Sequence, residues 1–551
     1  MTTSPLSSLE QVKSSYGAGC AGAKLALLDR LERARLRGPR AVVRLHEILC
    51  FLRAYPDDVQ VLAQVERMLG RFHRRADLRR HRAALADSGI AGTATYYRFF
   101  WSSARWLARQ WPQRFRLDRA DAEPAERIRA ALPLLVTPAE AAWLKESRVP
   151  AYTALDRLRA PQETDAVFLV RRVAAMPGDS ATREAFYDAI DAACVLKPAP
   201  GAPSRTDTKY AGATIAYRST PLRRTRPDLR EQIALAPRAV HELSPREGAH
   251  LLDLARGVMV TRSRDLDAFA YGDPRDVRIV EDGEGLAFMV GGMLPERRSP
   301  VSCTCGYLTL HNGVPIGYGD LILVGRSAAV AFNTFETYRG GEAAWNFARL
   351  LATVRHLYGA RSFSLAPYQL GHRNAEAIAS GAWWFYFKLG FRPLAAEPRR
   401  MLRQELARMK VDAGHRSDRV TLRGLAAWHL FFDLDAPAGL PPVAELGARI
   451  AQGLAQRAGA DRERALKACN SEAMHLLGLR SLEGYTADER LAWSRWSPLV
   501  VTLPGLARWS AAEKRALVHV IRAKGGRREG DFVALFAAHP KLERALLGAG
   551  R

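Results

Sequence analysis

Ala328-Ala329-Val330-Ala331-Phe332-Asn333-Thr334-Phe335-Glu336-Thr337-Tyr338-Arg339-Gly340-Gly341-Glu342-Ala343-Ala344 is the stretch on which the fold turns. Its first half is rich in small, β-branched and aromatic residues and predicts a strand. The glycine pair predicts a turn. Phe347, Leu350, Leu351, Val354 and Leu357 then recur at helical spacing and predict an amphipathic helix. A strand, a glycine turn and a helix N-terminus together make an anion site. Glycine lets the backbone come close to a phosphate, and the first-turn N–H groups point at it. The Lys-Ser/Thr pair of a Walker loop is missing, so a nucleotide-triphosphate loop of that kind is excluded.

Upstream, Val301 to Leu310 is β-rich, His311-Asn312-Gly313-Val314 supplies a hairpin turn, and Ile316 to Val324 returns as a second strand. With Ala328 to Phe335 these make three consecutive strands, an antiparallel meander. Before them, Ser244-Pro245-Arg246-Glu247 is a capping box with proline at the first helical position. The helix it opens carries Leu251, Leu252, Leu254, Val258 and Met259. Downstream, Ser362-Phe363-Ser364-Leu365 reads as a fourth strand. A helical stretch through Asn374-Ala375-Glu376-Ala377-Ile378 follows and ends in Trp384-Phe385-Tyr386-Phe387-Lys388-Leu389-Gly390-Phe391.

This order resembles the GCN5-related N-acetyltransferase (GNAT) superfamily over residues 243–393. The family's closing motif, a Tyr then two residues then Leu-Gly-Phe, is matched by Tyr386 to Phe391. Its loop, Gln/Arg-x-x-Gly-x-Gly/Ala, is matched at its end by Gly341-Glu342-Ala343, with Tyr338 in the Gln/Arg place. Asn374 lies twelve residues before Tyr386, where the family often has an Asn about seven before, and no role is carried to it. The resemblance implies a mixed sheet and acetyl-CoA or another acyl-CoA as co-substrate. Backbone N–H groups from Arg339 to Ala343, through Gly340, Gly341 and Glu342, would bind the pyrophosphate, and the Arg339 charge would neutralise it. The splayed third strand near Phe335 would pair with pantetheine and polarise the thioester carbonyl through a backbone N–H. Tyr386 would donate a proton to the leaving thiolate. Glu336 is the candidate general base, with Asp320 and His372 as weaker alternatives. The plain readings are an aromatic packed in the core for Tyr386 and a solvated strand-end carboxylate for Glu336.

The whole chain has 551 residues, too many for a single core, and about three domains are expected. The fold class expected is α+β: a GNAT-like mixed sheet with helices in a middle domain (236–398), flanked by mainly α-helical regions. These are 1–196, with a basic, proline-containing linker at 197–235, and 399–551. Within the first region, Tyr96-Tyr97-Arg98-Phe99-Phe100-Trp101 reads as a helix packing aromatics into a core, or as a stacking platform for single-stranded nucleic acid. In the third region Trp428, Trp493, Trp496 and Trp509 are expected core anchors. Lys524-Gly525-Gly526-Arg527-Arg528-Glu529-Gly530 reads as a solvated basic turn.

The formal net charge of +25 favours anionic partners, nucleic acid included, although the arginines are spread along the chain rather than gathered in one stripe. The six cysteines are scattered, unlike a disulfide framework. Cys303 and Cys305 share one strand face, but no second Cys or His pair stands at metal spacing, so no metal is expected. Met1-Thr2-Thr3-Ser4-Pro5 does not open a secretory signal, and no window approaches a membrane span; a cytoplasmic protein is the expectation. The function these readings imply is acyl transfer from acyl-CoA to an unknown amine. Two alternatives stay open: a catalytically inactive GNAT-like protein that holds nucleic acid on its basic surface, and an aminoacyl or peptidyl transferase with a tRNA-borne donor.

Overall fold

The computed structural model describes residues 4–437 and 439–547; Met1 to Thr3 of the stretch read for a signal lie outside them. The chain is α+β and divides into two compact units. The first comprises residues Met1–Leu222, His250–Tyr271 and His311–Pro315; the second comprises Arg223–Ala249, Gly272–Leu310 and Ile316–Arg551. No helix among the described residues is long and apolar enough to cross a membrane.

The first unit is built around two apolar clusters. One gathers Leu9, Leu28, Leu45, Leu49, Val65 and Phe72 from the N-terminal helices. The other gathers Trp101, Trp106, Phe115, Leu132, Leu155 and Val173. This unit is not wholly helical. β1 (Thr95–Tyr97), β2 (Phe115–Leu117) and β3 (Cys194–Leu196) form a small antiparallel sheet in the order β1-β3-β2. Thus the aromatic run expected to be helical begins as a strand, and the helix after it starts only at Trp101. Strands of three residues show one alternation at most, too little for periodicity to reveal. The basic linker is also not a free connector. Thr206 Oγ1 lies 2.9 Å from His46 Nε2, and Arg53 Nη1 donates to the Thr206 carbonyl at 2.6 Å. Farther on, a short helix, Leu229–Ala234, buries Leu229 and Ile233 in the core of the second unit.

The second unit carries a nine-stranded sheet. Its strands are β4 (Ala239–Glu242), β5 (Gly272–Gly283), β6 (Leu286–Met293), β7 (Cys303–His311), β8 (Val314–Val324), β9 (Ser327–Val330), β10 (Asn333–Thr334), β11 (Ser362–Leu365) and β12 (Leu430–Asp433). The order is β12-β11-β9-β8-β7-β6-β5-β4, with β10 paired to β8 beyond β9. The expected meander is β7, β8 and β9–β10, turning at Asn312 and Gly313, both at positive φ. Three further strands, β4 to β6, precede it. β12 belongs to the same sheet although it lies in the region expected to be helical, and one apolar core runs from Leu229 to Leu546. Residue 398 is therefore not a boundary between cores.

The helices that matter for the site are α1 (Pro245–Val260), α2 (Ala343–Tyr358), α3 (Ala375–Ala379) and α4 (Ala382–Lys388). The capping box at Ser244 is present: its N–H and hydroxyl donate to Glu247, and Glu247 N–H donates back at 3.3 Å. α2 buries Phe347, Leu350, Leu351 and Val354 and stops at Gly359, whose left-handed backbone (φ 67°) lets its N–H reach the Arg355 carbonyl at 2.8 Å. α2 is the crossover that sets β11 parallel to β9.

Two C-terminal expectations are corrected. Trp493, Trp496 and Trp509 are buried, but Trp428 is 38% exposed and is no core anchor. The turn after Lys524 is not solvated at its root. Lys524 is buried, ion-pairs with Glu529 and donates to the Ser302 carbonyl at 2.7 Å. Buried Arg298 donates to the carbonyls of Lys524 (3.1 Å) and Gly526 (2.6 Å) and lies 3.5 Å from Asp273. The turn's charges are thus spent on fixing it to the sheet.

Candidate functional site

β9 and β10 pair with β8 in one register, on either side of Ala331-Phe332: Val330 faces Leu321, Asn333 faces Tyr318 and Thr334 faces Gly317. β11 follows that run only from Ser327 to Ala329. After Leu365 the chain turns at Ala366-Pro367, where proline has no N–H to continue a ladder. Beyond Ala329 the two parallel strands have therefore parted, and one edge of β9–β10 opens into a gap.

Strand alternation decides which groups line the gap. The N–H groups of Ala331 and Phe335 donate to Asp320 and Ile316 of β8, at 3.0 and 2.9 Å. The even-numbered residues between them turn their N–H and carbonyl the other way. So Phe332 and Thr334 address the gap, and the Phe335 N–H, the expected polarising donor, does not. The Phe335 ring instead stacks on Tyr318, with centroids 5.5 Å apart. A two-residue hairpin loop, Gly325-Arg326, closes on a hydrogen-bonded pair and fixes this parity, so the sequence did carry a signal for Phe332. None pointed to Gln369, whose side-chain oxygen accepts from the Phe332 N–H at 3.3 Å.

Tyr386, on α4, approaches the same residue along the same edge. Its hydroxyl lies 3.5 Å from the Phe332 carbonyl, at the long limit of a hydrogen bond. Its ring is buried between Phe347 and Phe385. Burial raises its pKa above the ordinary tyrosine value, so it stays a protonated hydroxyl. Asn374 caps α3 by accepting from the Ala377 N–H, which gives it a structural task.

The loop follows directly. Glu336 to Tyr338 make one 3₁₀ turn, with Glu336 exposed and Tyr338 buried. The N–H groups of Tyr338, Arg339 and Gly341 bond to the carbonyls of Phe335, Glu336 and Tyr338, so two of the expected phosphate donors, Arg339 and Gly341, turn back on their own loop. Gly340, not Gly341, holds the left-handed backbone (φ 88°). The first intrahelical bond of α2 runs from Asn346 N–H to the Glu342 carbonyl, which leaves the N–H groups of Ala343, Ala344 and Trp345 at the open end of the helix. Arg339 donates to the Thr334 carbonyl at 3.2 Å and ion-pairs with Glu376, both partners half exposed. Glu342 is buried and accepts the Arg223 N–H at 2.9 Å, while the Arg223 guanidinium sits 4.4 Å over the Trp345 ring. Glu342 thus puts a carboxylate beside the helix N-terminus, where it complements the macrodipole and opposes an incoming anion.

Asp320 lies on β8, partly buried, and His372 is exposed in the turn after the short helix Pro367–Leu370. Cys303 and Cys305 are buried with their sulfurs 3.5 Å apart, and no group of three or more metal-ligating side chains occurs among the described residues. The arrangement offers one strand edge that β11 leaves and the side chains of Gln369, Tyr386 and Arg339 occupy, and a helix N-terminus with two ion-paired arginines close by. No family model, curated protein or solved structure matches this chain.

Proposed function

We propose that the region 236–398 is a GNAT-type acyl-CoA-binding domain that transfers an acyl group to an amine. The observation that carries this reading is the gap beside β9–β10, where Phe332 presents its edge and the Tyr386 hydroxyl stands 3.5 Å from the Phe332 carbonyl. The strand order supports it: an antiparallel meander, a strand–loop–helix and a parallel strand β11 follow one another as the resemblance implies. The residues fit the co-substrate in part. Ala343, Ala344 and Trp345 supply N–H donors; Arg339 and Arg223 supply positive charge, each already ion-paired, with Glu376 and with Glu284, and Glu342 adds a buried carboxylate.

Acyl-CoA supplies an activated thioester. Phe332, once Gln369 withdraws, donates its N–H toward the acyl oxygen. Tyr386 gives its proton to the departing sulfur as the C–S bond breaks, and Glu336 takes the proton lost by the amine as the new C–N bond forms. A second reading, a GNAT-like binding protein without catalysis, is favoured by Gln369 on the Phe332 N–H and by the buried Glu342 carboxylate. Titration calorimetry with acetyl-CoA and desulfo-CoA tests the first step: both should bind saturably at one site. No heat with either at millimolar ligand rejects acyl-CoA altogether. Binding without acyl transfer to any of a panel of amines leaves the second reading.

A further inference from the structure

The small sheet of the first unit has one buried face and one open face. Thr95, Phe115, Leu117, Cys194 and Leu196 are buried on the first. On the other, Tyr96 and Arg116 both pair with Val195, one from each side, so the three stand abreast across the sheet. Tyr96 is 41% exposed. Lys197, two residues past Val195, continues the same face. This face floors a cleft of about 460 Å³, walled by Asp118, Arg119, Asp156, Arg159 and Asp165.

The charges of the cleft divide into two groups. Its carboxylates are spoken for. Asp156 takes Arg119 through both oxygens at 2.8 Å and Arg159 at 2.9 Å; Asp165 accepts Arg119 Nε at 2.9 Å and the Leu117 N–H at 2.9 Å. Asp118 accepts the Ala120 N–H at 3.1 Å. The side chains of Arg116 and Lys197, by contrast, are exposed and have no ion-pair or hydrogen-bond partner among the described residues. Two uncommitted cations therefore stand beside an exposed aromatic ring. Tyr96 and Arg116 lie two strand spacings apart, roughly 10 Å between backbones. A phosphate suits the cations, and a planar base suits the ring.

We infer that this cleft binds a nucleotide unit, its base stacked on Tyr96 and its phosphate held by Arg116 and Lys197. The inference does not rest on the acyl-CoA reading. The unit comes either from a free mononucleotide or from single-stranded nucleic acid. Arg119, fixed by Asp156 and Asp165, forms a rigid wall rather than a further anion ligand.

Fluorescence anisotropy with a labelled single-stranded oligodeoxynucleotide, at several salt concentrations and with AMP or ATP as competitor, tests it on the full chain. The wild type should bind. Arg116→Ala/Lys197→Ala should weaken binding at least tenfold and lower the salt slope by about 1 for each phosphate no longer neutralised. Tyr96→Ala should weaken binding at least threefold at an unchanged slope. All three side chains are exposed, so folding should survive, and thermal melting checks that. A matched control, Arg403→Ala/Arg449→Ala, removes two exposed and equally uncommitted arginines elsewhere and should change affinity less than twofold. Displacement by AMP or ATP identifies a mononucleotide site; binding by the strand alone identifies single-stranded nucleic acid. The inference fails if the wild type binds neither, if the control pair loses as much affinity as the cleft pair, or if polyglutamate displaces the oligonucleotide as readily as unlabelled strand does.

Discussion

Removing one oxygen at position 386 separates packing from chemistry. Tyr386→Phe keeps the ring between Phe347 and Phe385 and deletes only the hydroxyl that faces Phe332. Acyl transfer should slow by roughly 10²-fold or more, with acetyl-CoA affinity within about twofold of wild type. An unchanged rate in a chemistry-limited assay would return Tyr386 to the core and nothing else. At this scale the sequence is informative where a motif is local. Tyr386 and the glycine loop stand out because their neighbours in sequence are their neighbours in space. Gln369 does not, because its role depends on where β11 stops relative to β9, which is a long-range property. Phe335 differs from its expected role by parity: the residue is on the right strand but turns its N–H to β8.

Two elements carry predictions of their own. In the loop before α2, Gly341→Val should leave the protein folded and weaken acetyl-CoA binding at least tenfold, about 1.4 kcal/mol, because donor geometry at the helix N-terminus is disturbed. Arg339→Ala should weaken it less, and the deficit should shrink as salt rises, since Arg339 is half exposed and its charge is screened. Calorimetry at two ionic strengths measures both. In the turn after Lys524, Lys524→Met leaves the buried Glu529 carboxylate without its close partner, with only Arg298 at 3.9 Å. The expected loss is about 3–5 kcal/mol in urea unfolding, with much of it recovered in Lys524→Met/Glu529→Gln. A loss under about 1 kcal/mol would mean that the pair is solvated, as its composition suggests. The turn departs from its expected solvation because runs of Lys, Arg and Gly look like surface. What buries it is Arg298, Asp273 and Ser302, more than two hundred residues away.

For the whole molecule, the α+β architecture and the meander are legible in the sequence, but the full sheet is not. β5 opens with Gly272-Asp273-Pro274-Arg275-Asp276, which has no strand pattern, since its buried acids answer to arginines rather than to an apolar face. β12 looks like part of a helical region because only its pairing with β11 shows where it belongs. The first unit adds a pH signature. Asp265 is pushed up to about 6, first by burial and further by the nearby charges of Asp188 and Asp267. Between its ordinary value and that one the folded state holds a proton that the unfolded chain has released, so stability from this group falls as pH rises from about 4 to about 6. Asp265→Asn keeps the contacts to Phe100 and Ser103 without the charge. It should melt with the wild type near pH 4 and be more stable at pH 7.5 by up to about 3 kcal/mol. A variant less stable than wild type at pH 7.5 would refute the sign.

Hydrogen–deuterium exchange of the full chain, with and without saturating desulfo-CoA, tests the acyl-CoA reading most directly, because it reports where the ligand sits rather than whether it binds. Slowed exchange should be confined to peptides spanning the gap and the helix N-terminus, residues 330–346, with a smaller effect around Gln369 as its side chain yields the Phe332 N–H. Unchanged exchange there, or protection confined to the cleft of the first unit around Arg116 and Lys197, would contradict the assignment of an acyl-CoA site to the second unit.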